Sequence, residues 1–182
     1  MTKITAFHEK EMRKKASKNE FMKYFNVSLF GLRGKLHPAV TNIYTAHSVK
    51  KVRPHIKMLV GDYLTFEKKS EQSGGSPFCK LCDKSEPESL VHLIANCSGL
   101  SETRDKIKSG IDILIENANL KINVNALSSS ELTQLIIDPT SMNLKIRVNI
   151  NHKIVPALFQ LSRDFCYAID RSRTKVCKQV QK

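Results

Sequence analysis

The sequence contains no tryptophan, and aromatic residues make up only 7% of it, so any core must be built mainly from aliphatic side chains. It has no uninterrupted apolar run of about eighteen residues, which excludes an ordinary membrane-spanning helix. The N-terminal stretch MTKITAFHEKEMRKK lacks the apolar segment of a secretory signal. No Asp-Asp dipeptide occurs, so the paired aspartates that hold divalent ions in a polymerase hairpin are missing. Acids as a whole are scarce: 17 Asp and Glu face 30 Lys and Arg, for a formal net charge of +13. The five cysteines are odd in number and follow no signal, so a disulfide framework is not expected and a reducing, intracellular compartment is.

What is present is unevenly placed. Residues 1–60 hold 13 Lys and Arg against 3 acids, residues 61–170 hold 12 against 14, and residues 171–182 hold 5 against none. Two basic ends around a near-neutral middle suit a polyanionic partner, RNA or DNA before an anionic membrane. The alternative is a solvated, solubilising surface.

Apolar spacing predicts a mainly α chain. A loosely patterned helix is expected over 5–27, broken by Gly31, Gly34 and Pro38. One or two helices follow over 39–65, with Val49, Val52, Ile56, Leu59 and Val60 inward and Pro54 marking a kink or a fresh start. The polar stretch EKKSEQSGGSP reads as a linker. Ser101 is placed to cap a helix reaching about residue 118, with Ile107, Ile111, Leu114 and Ile115 as its stripe. A Ser128–Glu131 capping box opens another, which stops before Pro139. The last is expected over about 150–171, on Ile150, Ile154, Leu158, Leu161, Phe165 and Ile169. The predicted organisation is a basic helical region (1–66), a linker (67–77), a metal-binding module (78–105), a C-terminal helical region (106–172) and a basic tail (173–182).

The module rests on one stretch, FCKLCDKSEPESLVHLIANC, spaced Cys79-x2-Cys82-x9-His92-x4-Cys97. Two cysteines three apart aim both sulfurs at one ion from a tight turn. SEPESLVHLIAN then offers a short helix capped by Ser85 or Glu86, with Pro87 and Glu88 in its first turn and His92 projecting from it. Cys97 lies about 500° further round an α-helix than His92, so it is expected beyond the helix end, after a left-handed Asn96. Three thiolates and an imidazole fill a tetrahedral shell and leave no place for water, which predicts a structural Zn2+ rather than a catalytic one. Cys166 is expected in the core and Cys177 in the tail, both outside the site. PFCKLC resembles the Pro-Cys-x-x-Cys half of a zinc-deaminase signature, but Phe78 separates Pro77 from Cys79 and the His-x-Glu half is absent.

The surroundings of the cluster resemble the region downstream of the polymerase in non-LTR (LINE-type) retrotransposon reverse transcriptases. The resemblance covers about residues 31–105 and is carried by Arg33, Gly34, His37, Leu59, Gly61, Tyr63, Cys79, Cys82, Glu88, Ser89, His92, Cys97, Leu100 and Arg104. It implies a zinc-knuckle module within a helical region that grips RNA or DNA, non-catalytic in itself, with no small-molecule substrate. Lys50, Lys51, Arg53, Lys57, Lys80 and Lys84 are the expected phosphate contacts. Phe78 and Tyr63 would stack on unpaired bases or, as such residues more often do, pack in the core. Glu88 is expected at a helix start or behind a ligand, without chemistry of its own. The competing expectation is a structural, protein-interaction module that docks on a polymerase domain of the parent polyprotein.

Overall fold

A computed structural model describes residues 10–11, 14, 18, 22–26, 37–41, 45–144 and 154–180. The chain is mainly α-helical, and the described residues contain no strand beyond an isolated antiparallel bridge between Phe78 and Pro87. The helix expected over 5–27 lies largely outside the described residues. No helix among those described is long and apolar enough to cross a membrane.

Helix α1 (Ala46–Leu59) starts where the Thr45 hydroxyl accepts the Ser48 N–H at 3.1 Å. It runs through Pro54 without ending. Pro54 is itself buried, and so are Val52, His55, Met58 and Leu59, so packing outweighs the backbone bond a proline removes, a cost of about 3 kcal/mol. The buried stripe is rotated from the expected one. Val49 is exposed, and His55 takes an inward place because its Nε2 reaches the Ile137 carbonyl at 2.8 Å. Gly61, at φ 73°, turns the chain out of α1 in a left-handed conformation that suits glycine.

The expected linker is in part a helix. Helix α2 (Phe66–Ser73) begins at Thr65, whose hydroxyl accepts the Lys68 N–H at 3.3 Å, and ends at Gly74. Its composition looks like a linker because it has no buried residue; capping at both ends defines it instead.

Helix α3 (Ser101–Asn117) buries Ile107, Ile111 and Ile115. Ser101 is its first helical residue, not its cap; Leu100 holds the cap position without a side-chain bond. Helix α4 (Ser129–Ile137) opens with the expected Ser128–Glu131 capping box and is buried from Leu132 onward. Helix α5 (Val155–Val180) packs chiefly on α1 and α3 through Leu158, Phe159, Phe165, Cys166 and Ile169. Residues 150–153 of its expected start lie outside the described residues. At the other end the expected basic tail continues the helix as far as Val180.

The buried side chains form one cluster, which includes Cys79, Leu93, Ile94 and Cys97. The segment carrying the cysteines and His92 therefore grows out of the helical core, resting on α4 and α3.

Candidate metal centre

The knuckle is built on a short hairpin. Cys79 N–H donates to Glu86 O at 2.9 Å and Glu88 N–H to Pro77 O at 2.8 Å, which frames the Phe78–Pro87 bridge. Ser85, at φ 48°, makes the turn. Neither Ser85 nor Glu86 caps a helix, and Pro87 and Glu88 precede it: the helical turns begin at Leu90. Pairing across the hairpin holds residues 86–88 extended, and this delays the helix.

The turn carrying His92 is wound wider than an α-helix. His92–Asn96 is a π-helix, closed by a Cys97 N–H bond to His92 O at 2.7 Å. Such i→i+5 turns are uncommon and recur at functional sites. The wider winding brings Cys97 back toward His92. Cys97 is the first residue beyond the turn, at φ −63° and ψ 118°, and no left-handed Asn96 is involved.

Cys79, Cys82, His92 and Cys97 converge, with one donor atom from each lying within 4.8 Å of all the others. Cys79 Sγ is 3.8 Å from Cys97 Sγ, and Cys82 Sγ is 3.4 Å from His92 Nε2. The edges of a tetrahedral thiolate–imidazole shell are about 3.8 Å for sulfur–sulfur and about 3.5 Å for sulfur–nitrogen. The spacing is that of four ligands around one ion; all the cysteines are free thiols.

Three further observations fit a cation. His92 Nδ1 lies 2.8 Å from the Glu86 carboxylate, which fixes the proton on Nδ1 and turns the Nε2 lone pair toward the thiols. The Leu81 N–H points at Cys79 Sγ at 3.4 Å. Burial, together with the neighbouring thiols, pushes the Cys79 thiol up to about 12, and burial raises Cys97 as well. Both shifts disfavour the thiolate, and a positive ion at the centre of the group would reverse that. Cys79, His92 and Cys97 are buried and Cys82 is half-buried, so the group could hold a metal ion with little access for solvent.

Residues outside the ligand set lock this geometry. Arg104, buried on α3, donates through Nη1 to Cys97 O at 3.0 Å and through Nε to Ile94 O at 3.3 Å. It takes up carbonyls that the π-turn leaves open. A Cβ at Gly99 would meet Leu81 O at 1.9 Å, so only glycine lets the second half of the site approach the knuckle. Glu88 is fully buried. Its Oε1 accepts the Phe66 N–H at 2.9 Å and pairs with Arg173 of α5 at 2.6 Å. It is therefore not at a helix start, and it serves the attachment of the module to the rest of the fold. Glu86 and Gly99 carried no sequence signal for these roles, because neither stands in helical register with a ligand.

The expected phosphate contacts are dispersed. Lys50 and Arg53 are exposed on α1, Lys57 is half-buried on the same helix, and Lys84 is exposed on the knuckle loop. Lys51 is engaged by Asp164 of α5 at 2.8 Å. Lys80 is exposed, with Nζ 5.3 Å from the centre of the Phe66 ring. The two aromatics part company. Tyr63 is a core residue whose hydroxyl donates to Asp170 at 3.2 Å, whereas Phe78 is 46% exposed. No known family, curated protein or solved structure matches the chain.

Proposed function

We propose that the chain is a non-catalytic, zinc-stabilised nucleic-acid-binding module belonging to the C-terminal part of a non-LTR (LINE-type) retrotransposon reverse transcriptase. The observation that carries the reading is the convergence of Cys79, Cys82, His92 and Cys97 at tetrahedral spacing, with Glu86 orienting the histidine. Soft thiolates with one imidazole in a four-cornered shell favour Zn2+. Bound there, zinc would supply folding free energy to the polar 83–89 stretch, DKSEPES, which has little apolar surface of its own to bury.

Basic side chains on the knuckle loop and on α1 support the nucleic-acid half of the reading. Lys80 and Lys84 rise from the knuckle loop itself, and Lys50, Arg53 and Lys57 follow a three–four spacing on α1. Glu88 and Arg104, which help to carry the resemblance, hold the module in place, and Tyr63, a third such residue, ties down α5 through Asp170. The test is fluorescence anisotropy with labelled single-stranded RNA and DNA across a salt series. Binding should weaken steeply with salt, and replacing Lys50 and Arg53 by Glu should lower the log–log slope by roughly 0.7–0.9 per lost contact. Salt-independent binding, or none to either polymer, would sink the proposal.

A second reading, docking on the polymerase domain of a parent polyprotein, is favoured by the exposed Leu64 and Phe78 on either side of α2. Concentration-dependent self-association without nucleic-acid binding would select it.

A further inference from the structure

From Asp170 onward the polar ties of α5 to the rest of the described residues are few. They run from Asp170 to Tyr63, and from Arg173 to Glu88 and the Leu64 carbonyl. Arg173 is the centre of the group. Its guanidinium lies 5.1 Å from the centres of both the Tyr63 and Phe66 rings, and Lys80 approaches Phe66 in turn. The pair it forms with Glu88 is almost dry, the two side chains being 13% and 0% exposed. Among the described residues Glu88 Oε2 and Arg173 Nε have no hydrogen-bond partner. An incompletely satisfied buried ion pair persists only where the surrounding structure holds both charges in place.

What holds Glu88 is the knuckle. Its N–H is bonded to Pro77 O in the hairpin that also positions Cys79, and Ser89, the next residue, accepts the His92 N–H at 3.1 Å through its hydroxyl. Glu88 therefore sits between two ligand-bearing backbones, inside the loop that an ion would close. We infer that the metal centre works as a latch: an ion at the four ligands fixes Glu88, Glu88 holds Arg173, and Arg173 docks the distal, basic end of α5. That end carries Arg171, Lys175 and Lys178, all exposed. Metal occupancy thereby sets the presentation of a basic helix some ninety residues away in sequence. The inference rests on the metal reading of the four ligands.

Hydrogen exchange read by mass spectrometry on the full chain tests it, with native mass spectrometry counting metal in the same samples. Stripping the ion with a chelator should speed exchange in 170–178 about tenfold or more, together with 78–97, and leave Ser129–Ile137 protected. Zinc should restore both segments. Glu88→Gln should keep its ion yet show the fast exchange in 170–178, because the neutral amide retains a partner for the Phe66 N–H but lacks the charge for Arg173. The latch is overturned if 170–178 stays protected when the ion leaves, or if metal-loaded Glu88→Gln matches the parent there. It is also overturned if Ser129–Ile137 opens in step with 170–178, since the ion would then hold the whole fold. A chain that binds no metal fails the metal reading itself, a different outcome.

Discussion

At the scale of single residues, the site depends on groups that are not ligands. Glu86 sets the tautomer of His92, and carboxylates in that position support metal affinity by a factor of about 10–100. Glu86→Gln should lose zinc affinity by that order, read by competition with a chromogenic chelator. Gly99 acts through absence. Its substitution by Ala forces a methyl into the Leu81 carbonyl, a backbone atom that cannot swing aside. Gly99→Ala should destabilise the fold by about 1–3 kcal/mol in urea unfolding, the range for overpacking, and weaken metal binding with it. The convergence of Cys79, Cys82, His92 and Cys97 was legible because three cysteines and a histidine at that spacing leave little else to be. Glu86 and Gly99 were not, since one reaches from the hairpin to the helical turn that follows it and the other acts through a close contact, and neither leaves a period in the sequence.

At the scale of elements, local codes were the most readable. The Ser128–Glu131 box, the stop before Pro139 and the Ile107–Ile111–Ile115 stripe all follow from spacing and cap chemistry. Where tertiary contacts decide, spacing misled. Helix α2 reads as a linker because its ends, not its faces, define it, and α1 passes through Pro54 because its neighbours compensate for the lost bond. The knuckle helix starts late because residues 86–88 pair with residues 77–79, and it winds as a π-turn that Arg104 then caps. Arg104→Met keeps much of the bulk and removes the donors. It should cost about 1–3 kcal/mol, the penalty of leaving buried carbonyls unpaired, and thermal unfolding of the metal-loaded protein would measure it.

At the scale of the whole molecule, α1, α3, α4 and α5 share one core with the Cys79–Cys97 segment, and His55 lies inside it. Burial lowers His55 from 6.5 to about 4, and the Ile137 carbonyl requires its Nε2 to carry the proton of the neutral ring. The unfolded chain takes up the proton first, so stability should fall as pH drops from about 6.5 toward 4 and then level off, by on the order of 3 kcal/mol from this group. Urea unfolding at saturating zinc should show that slope reduced in His55→Gln. The central claim is that one ion is enclosed by three sulfurs and one nitrogen. X-ray absorption at the zinc edge on purified protein measures this directly. The predicted result is one zinc per chain with three sulfur neighbours at about 2.3 Å and one nitrogen at about 2.0 Å. A spectrum with an oxygen in place of one sulfur, or a chain that retains no zinc, would contradict it.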